Sequence, residues 1–380
     1  MTLLCLSLVA AALLLSMPLT WIVRELSRRA QTFDTAPVPG QIKAPSRRIP
    51  NTGGIAIFWS FALPVAGILA AAWWMPDLIS RWVPLAAEHL PGVRDKTPVA
   101  ATLLVSLAIL HTLGLIDDRK PLGPFLKLAI MALPAVLIAT VGQTRLLTLL
   151  DAPGAVPVWS TLVTVIWFLV VTNAMNFMDN MDGLSAGCTA TACVFFLFGC
   201  VLSGQWFVAA CLALLLGAVL GFLVFNRPPA SIFMGDGGSL VLGYLLAFLT
   251  ARTTYVSDGG PAGHSDHWFT VFTPLVILAI PLYDFTSVTL IRLRAGKSPF
   301  VGDLNHLSHR LVRRGMTKAA AVSTICGLTA VTGVSGLLLH RAEPTEAMLI
   351  AVQVALLLIV VARVEFATAT STDEQTGARR

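Results

Sequence analysis

The chain alternates between long apolar runs and short polar segments. A helix that crosses the ~30 Å hydrocarbon core of a bilayer needs about 20 mostly apolar residues. Eleven runs approach that length, at residues 3–23, 55–75, 98–116, 127–141, 158–177, 184–203, 206–225, 238–254, 268–291, 319–340 and 346–363. We therefore expect an all-α polytopic membrane protein with about eleven transmembrane helices. Residues 1–365 would form one integral membrane domain, and the polar residues 366–380 a disordered cytoplasmic tail.

Composition and charge placement support this expectation. Hydrophobic residues make up 56% of the chain and charged residues only 12%, and the mean hydropathy is +0.79. If the N-terminus lies outside, the inner segments hold 20 of the 26 Lys and Arg residues. Because cytoplasmic loops of membrane proteins carry the excess of Lys and Arg, we expect an outside N-terminus and a cytoplasmic C-terminus. The net charge of +6 is then explained without nucleic-acid binding.

The fifth apolar run ends in a ladder of amides and carboxylates. Asn173, Asn176, Asp179 and Asp182 follow one another at intervals of three. Three residues advance about 300° around an α-helix, so these side chains share one broad face. An unpaired amide among Val, Met and Phe is costly, and polar groups at such depth usually face a functional cavity. A polar helix end in contact with water does not account for the two asparagines.

Further inner aspartates follow the third run. Asp117 and Asp118 are adjacent carboxylates, whose repulsion a divalent cation or a shared proton would relieve. The alternative is a solvated turn balanced by Arg119 and Lys120. Lys127 opens the next run and is placed to meet a phosphate.

A glycine-rich segment precedes the eighth run. Residues 235–239 read Gly-Asp-Gly-Gly-Ser. Glycines let backbone N–H groups approach an anion, and a helix N-terminus adds positive potential. Asp236 is placed to hold Mg²⁺ beside that anion. The alternative is a plain glycine-rich connector.

The last inner loop contains two histidines. His306 and His309 are three residues apart, so they share one helix face. Phosphate contact, general acid–base catalysis and Zn ligation are the alternatives, but no third Zn ligand is evident. The neighbouring Arg310, Arg313 and Arg314 could contact phosphate or anchor lipid headgroups. Phosphate recognition is the interpretation we favour for the histidines.

Together, these motifs predict a cytoplasmic site at the membrane surface. Carboxylates would hold Mg²⁺, glycines and cations would hold phosphates, and the bilayer would supply a lipid. This set is typical of phosphoryl transfer from a soluble diphosphate to a lipid phosphate, in which positioning and charge neutralisation dominate.

The ordered motifs resemble the polyprenyl-phosphate N-acetylhexosamine-1-phosphate transferase family. They are "GGIAIF", "GLIDDRKPLGPFLKL", "NAMNFMDNMDGLSAG", "FNRPPASIFMGDGGSLVLG" and "SPFVGDLNHLSHRL", within residues 45–315. The last motif is closest to the branch that uses GlcNAc-1-phosphate. The resemblance implies Mg²⁺ (with Mn²⁺ as an alternative), a UDP-sugar donor, undecaprenyl phosphate as acceptor and the bacterial cytoplasmic membrane as location. Family members often form dimers, so a homodimer is a further expectation.

The resemblance also implies residue roles. The metal ligands would be Asp236, Asp117 and Asp118. The catalytic group would comprise Asp117, Asp118, Asp179, Asp182, His306 and His309, and one of the first two could take the acceptor's proton. Substrate would contact Asn173, Asn176, Asn226, Phe233, Lys127 and Arg310, with Phe233 stacking on uracil.

Two residues depart from the family pattern, and several alternatives stay open. Ser308 replaces a histidine that is common in the branch, and Asn180 stands where the family mostly has glycine. Phospho-MurNAc-pentapeptide or another UDP-N-acetylhexosamine could be the donor. A transporter is the alternative from another class, but it would show midspan polar sites and repeated halves. The one candidate midspan group is His111, which we expect to be packed or hydrogen-bonded.

Overall fold

The computed structural model describes residues 1–33, 48–253, 268–339 and 341–366. Within these ranges the fold is all-α, with no β-strand. The α-helices are α1 Thr2–Arg29, α2 Gly53–Trp74, α3 Pro76–Trp82, α4 Pro84–Ala87, α5 Leu90–Asp95, α6 Thr97–Arg119, α7 Pro124–Thr140, α8 Val158–Met178, α9 Leu184–Leu202, α10 Trp206–Asn226, α11 Asp236–Arg252, α12 Thr273–Ile277, α13 Ala279–Arg294, α14 Leu307–Arg313, α15 Lys318–Leu339 and α16 Pro344–Phe366. Short 3₁₀ turns lie at Thr148–Leu150 and Trp268–Phe272.

The chain is a multi-pass membrane protein. In the described part, eight helices are long and apolar enough to cross a bilayer, or nine if one bent pair counts as a span. They are α1, α2, α6, α8, α9, α10, α15 and α16, and the bent pair is Trp268–Ile277 with α13. Each of the eleven predicted segments is helical, but α7 and α11 have only 17 residues each. The predicted number of eleven spans is therefore not confirmed. The predicted tail lies outside the described residues beyond Phe366.

The ninth predicted span is broken, which the sequence prediction missed. Its two parts meet at an angle of 69° near Leu278. Pro281 has no N–H to donate to the carbonyl of Ile277, and its ring crowds that carbonyl. The freed carbonyl instead accepts the Thr332 hydroxyl of α15 at 3.4 Å. The kink therefore has a local cause in proline chemistry.

Helix α11 lies at the centre of the bundle. It packs against α8, α6 and α2, and 14 of its 17 residues are buried. A helix that is apolar on every side can face lipid or be buried among other elements, and α11 is buried. Close approach at its first turn depends on small residues, because a Cβ on Gly54 would collide with the backbone at Gly238, and a Cβ on Gly114 would collide with the backbone at Asp236. The glycines therefore let α2 and α6 touch the start of α11.

The connection before α11 is also tied to α2. The N–H groups of Gly53 and Gly54 donate to the carbonyls of Phe233 and Met234, each at 2.9 Å. The Phe233 N–H in turn donates to the Pro50 carbonyl at 2.8 Å. These bonds place the glycine-rich turn beside the N-terminal end of α2 and the C-terminal end of α6, where the predicted site residues lie.

Candidate active site

A lysine and two carboxylates form the centre of the site. The Lys127 ammonium in the first turn of α7 donates to Asp117 Oδ2 at 2.8 Å and also contacts Asp236 Oδ2. The side chains of Lys127, Asp117 and Asp236 are 16%, 13% and 26% exposed, so the cluster opens toward the surface on the Asp236 side. Asp117 Oδ1 also accepts the Leu122 N–H at 2.6 Å, which orients that carboxylate. Three predicted site residues from three helices therefore meet at one point.

Asp118 has a different set of partners from Asp117. Its carboxylate accepts the backbone N–H groups of Asp236 at 3.0 Å and Gly237 at 3.2 Å. It also accepts the Asn51 side-chain amide at 3.0 Å. The first N–H groups of a helix lack partners within the helix, and a carboxylate there also interacts favourably with the helix dipole. Asp118 therefore stabilises the N-terminus of α11 in the orientation that presents Asp236.

The glycine-rich turn requires its glycine at position 235. Gly235 has a φ of +69°, and a Cβ there would lie 2.5 Å from Asp118 Oδ2. His111 supports the turn from the other side, since its Nδ1–H donates to the Gly237 carbonyl at 2.7 Å and its ring stacks on Phe58. The expectation that His111 is packed and hydrogen-bonded is confirmed.

The two asparagines of the ladder, Asn173 and Asn176 on α8, have different partners. The Asn176 amide donates to Asp236 Oδ1 and to Ser239 Oγ, both at 2.8 Å, so it reaches the central cluster. The Asn173 amide donates back to the Leu169 carbonyl of its own helix at 2.7 Å. The burial cost predicted for both amides is thus met by hydrogen bonds, but only Asn176 joins the carboxylate site.

The lower part of the ladder anchors the turn between α8 and α9. Asp182 is 9% exposed, and its Oδ2 accepts the Ala230 N–H at 2.9 Å. Asn226 is 3% exposed. Its side-chain oxygen accepts the Gly183 N–H at 3.0 Å, and its side-chain NH₂ donates to the Ile232 carbonyl at 2.9 Å. These contacts hold the turn against the loop after α10. A contact from Asn226 to a nucleoside, as predicted from sequence, would have to replace one of these bonds.

The predicted histidines lie at the start of α14. His306 is 5% exposed, and its Nδ1–H donates to Asp284 Oδ2 of α13 at 2.9 Å. Asp284 Oδ1 also accepts the Leu307 N–H at 2.6 Å, so one buried carboxylate orients both the imidazole and the first turn of α14. The pKa of His309 is lowered to about 4, first by burial and then by the nearby His306 and by Arg313. His309 is therefore a neutral imidazole at pH 7, able to donate and accept hydrogen bonds.

Arg310 is bonded entirely to the protein. Its Nε donates to Glu365 Oε2 of α16 at 2.9 Å, and the other two nitrogens donate to Ser287 Oγ at 2.9 Å and to the Asn305 carbonyl. Arg310 is 5% exposed, and the Glu365 side chain is fully buried. The predicted substrate contact would require Arg310 to exchange one of these partners. In this structure it holds the histidine loop to α16.

Several residues of the site were not predicted. Asp284, Asn51 and Glu365 were not assigned to the site from the sequence. Their roles depend on the partners just described, and a single acid or amide in a sequence does not reveal its partner. Phe233 is half-buried and contributes backbone bonds to the turn before α11. Asp179 follows directly on α8 and is also half-buried.

The donor set at the centre is compatible with a magnesium ion. Over the described ranges, no three His, Cys, Asp or Glu side chains converge as a ready-made metal group. Mg²⁺ does not need one, because it is usually held by one or two carboxylates, with water and substrate phosphates completing its shell. The Lys127 cation between Asp117 and Asp236 marks a position that attracts positive charge. These residues therefore fit the predicted ion, while the ligand assignment stays a prediction.

Comparison with known proteins identifies the class. The family model for glycosyl transferase family 4 matches residues 100–254, which include Asp117, Lys127, Asn176 and Asp236. A decaprenyl-phosphate N-acetylglucosaminephosphotransferase of Mycobacterium tuberculosis is 31% identical over 330 residues, covering 80% of this chain and 76% of that protein. The chain belongs to glycosyl transferase family 4, which confirms the predicted membership.

Other relatives carry similar names. A probable undecaprenyl-phosphate N-acetylglucosaminyl 1-phosphate transferase of Bacillus subtilis is 28% identical over 339 residues, covering 87% of this chain and 84% of that protein. An undecaprenyl-phosphate alpha-N-acetylglucosaminyl 1-phosphate transferase of Haemophilus influenzae is 31% identical over 257 residues, covering 64% of this chain and 69% of that protein. These names agree with the branch that the histidine loop indicated.

Proposed function

We propose that this protein transfers GlcNAc-1-phosphate from UDP-GlcNAc to undecaprenyl phosphate, releasing UMP and starting the synthesis of a cell-envelope glycan. The observation that carries the proposal is the convergence of Lys127, Asp117 and Asp236 at the N-terminus of α11. A cation, and two carboxylates able to hold a divalent ion, are the groups that a reaction between two phosphates needs. The names of the relatives support this donor and this type of acceptor.

The metal in this proposal is Mg²⁺, with Mn²⁺ as an alternative. Asp236 and Asp117 are the ligands that the geometry favours, and Asp118 remains a further candidate. When bound, the ion neutralises phosphate charge and polarises the bond to the leaving group. Lys127, displaced from between the carboxylates, would then be free to pair with a substrate phosphate. Asn176 would keep the Asp236 carboxylate aligned through its bond to Oδ1.

The remaining residues would bind the two substrates. Asp179 and Asp182 would order the nucleotide site, with Phe233 stacking on uracil and Asn226 near the nucleoside. His306 and His309 would contact the diphosphate or the sugar, His309 as a neutral hydrogen-bonding group. A phosphate monoester has a second pKa near ~6, so the acceptor is mostly ionised at neutral pH and needs little help from a base. If a base acts, Asp117 or Asp118 would supply it.

The proposed orientation places this site in the cytoplasm. The N-terminus would lie outside and the C-terminus inside the bacterial cytoplasmic membrane, with eleven crossings that include the short helices α7 and α11 and the bent ninth segment. The support is the distribution of Lys and Arg, of which 20 of 26 fall on the inner side. Residues 1–365 would act as one domain, alone or as a homodimer.

The deciding experiment measures UMP release by purified protein in detergent with undecaprenyl phosphate. UDP-GlcNAc and UDP-MurNAc-pentapeptide are offered separately, with Mg²⁺ or with excess chelator. We expect release from UDP-GlcNAc alone, loss with chelator, recovery with added Mg²⁺, and no release by Asp236→Asn. Release only from the pentapeptide donor would contradict the proposed branch. Unchanged release in chelator would contradict the proposed metal, and absence of release from folded protein with both donors would contradict the proposed substrate.

A further inference from the structure

The two residues that depart from the family pattern are bonded to each other. Ser308 Oγ donates to Asn180 Oδ1 at 2.5 Å, although the residues are 128 positions apart in sequence. Ser308 is 1% exposed, and Asn180 is half-buried. We propose that Asn180 and Ser308 are a matched positioning pair that sets the histidine-bearing helix α14 against the turn between α8 and α9. The inference rests on the proposed function for its effect on turnover.

Asn180 faces the protein with both ends of its amide. Its Nδ2 donates to the Phe177 carbonyl at 2.6 Å, at the end of α8 where carbonyls lack helical partners. Its Oδ1 accepts the Ser308 hydroxyl. Both of these contacts are internal, so in this structure the Asn180 side chain links α8 to α14. Its place in the turn beside Asp179 and Asp182 nevertheless makes it part of the frame of the nucleotide site.

Ser308 lies between the two histidines of the site. It is in the first turn of α14, two residues after His306 and one before His309. The Phe177 ring meets the His306 ring edge-on, with centroids 5.5 Å apart, so α8 and α14 already touch through apolar groups. The Ser308 hydrogen bond adds the directional contact, since dispersion between two rings permits sliding and a hydrogen bond fixes distance and angle. The pair therefore fixes where His309 stands relative to the turn.

The hydrogen bond makes Asn180 and Ser308 depend on one another. Glycine at position 180 would remove the oxygen that the buried Ser308 hydroxyl uses, and a buried hydroxyl without a partner is destabilising. Histidine at position 308 would direct a much larger ring at the Asn180 side chain, in a place where Ser308 is 1% exposed. Ser308 thus needs the Asn180 oxygen as its acceptor, and Asn180 needs a small residue at position 308.

The test is a double-mutant cycle with Asn180→Ala, Ser308→Ala and both together, followed by UMP release from UDP-GlcNAc. We expect each single change to lower kcat roughly fivefold, the factor that corresponds to a net hydrogen bond of about 1 kcal/mol. KM for UDP-GlcNAc should change by less than about twofold, because the contacts of both side chains are with the protein and the pair is assigned to positioning. The double variant should be no slower than the slower single variant. Ser308→Thr, which keeps the hydroxyl, should retain most of the activity.

The matched control is Ser335→Ala on α15. Ser335 is also buried, at 2% exposure, but its hydroxyl bonds only within its own helix, to Val331 at 3.0 Å, so kcat should not change. A further arm replaces Ser308 by histidine alone and together with Asn180→Gly. We expect the double replacement to recover activity that the single replacement loses. Independent, multiplicative losses in the alanine cycle, or a change in KM in place of kcat, would overturn the proposal.

Melting temperatures of the same variants in detergent separate this proposal from the proposed function. If the wild type releases no UMP, the proposed substrate is wrong, yet the pair still predicts a non-additive pattern of melting temperatures in the cycle. Additive shifts would refute the pair whatever the donor is. Non-additive shifts together with unchanged kcat in active enzyme would show a contact that only stabilises the fold, and would overturn the positioning role.

Discussion

Removal of the Glu365 charge should destabilise the protein through Arg310. The Glu365 side chain is fully buried, and Arg310 is 5% exposed, so the pair is shielded from water. Breaking a buried pair by removing one partner costs about 3–5 kcal/mol, because the other charge is left uncompensated. Arg310 keeps bonds to Ser287 and Asn305, so we expect Glu365→Gln to cost about 3 kcal/mol, the lower end of that range.

The measurement is thermal unfolding in detergent, followed by tryptophan fluorescence. An unfolding entropy of about 2.1 cal/mol/K per residue gives roughly 0.8 kcal/mol/K for the whole chain, so the melting temperature should fall by about 4 °C. The matched control is Glu346→Gln on the same helix, where the exposed side chain accepts only the Glu343 N–H at 2.9 Å. An amide oxygen can make that bond too, so no shift is expected.

A double replacement tests the electrostatic explanation. Replacing a buried ion pair by apolar residues of similar size is often neutral or stabilising. Arg310→Met combined with Glu365→Leu should therefore be more stable than Glu365→Gln alone, although the bonds of Arg310 to Ser287 and Asn305 and the bond of the Tyr283 hydroxyl to Glu365 are lost. A shift of less than about 1 °C in Glu365→Gln would refute the reasoning. A double variant that is less stable than the single one would show that the hydrogen bonds of Arg310 and Glu365, and not the uncompensated charge, carry the effect.

Two further predictions concern the turn before α11 and the histidine helix. Gly114→Ala should abolish UMP release, because the added Cβ collides with the backbone at Asp236. The control is Gly67→Ala, whose Cβ meets nothing within 4 Å and should leave release unchanged. Equal UMP release by the two variants would contradict the close packing. The pKa of His309 is lowered to about 4 in the folded protein, whereas the pKa of a histidine in the unfolded chain lies near ~6.5. As the pH falls below ~6.5, the unfolded chain therefore binds the proton before the folded protein does. Stability should therefore decline between those pH values, and His309→Gln should weaken that decline in melting curves; an unaltered pH profile would contradict the assignment.

The positions of the helices could be predicted from the sequence. The first run was predicted at 3–23 and forms Thr2–Arg29, and the seventh was predicted at 206–225 and forms Trp206–Asn226. A run of apolar residues must satisfy its backbone polar groups within itself in a bilayer, so its own composition determines its conformation. The number of spans was less determinate, since α7 and α11 are too short for length alone to decide.

Much of the site's membership could also be predicted, because its residues lie in short motifs. Asp117, Lys127, Asn176 and Asp236 were selected by residue type and spacing, and the structure brings them together. Spacing could not separate Asn176, which reaches Asp236, from Asn173, which bonds to its own helix. A period of three places side chains on one face without specifying what that face meets.

The pairing of distant groups depends on the packing of the helices. The carboxylate of Asp118 binds the N-terminus of α11, Glu365 binds Arg310 across 55 residues, and Ser308 binds Asn180 across 128. The apolar helices and the polar motifs at their ends follow from local residue order alone. Pairing between distant groups depends on how the helices pack, and neighbouring carboxylates such as Asp117 and Asp118 can be turned toward different partners by that packing.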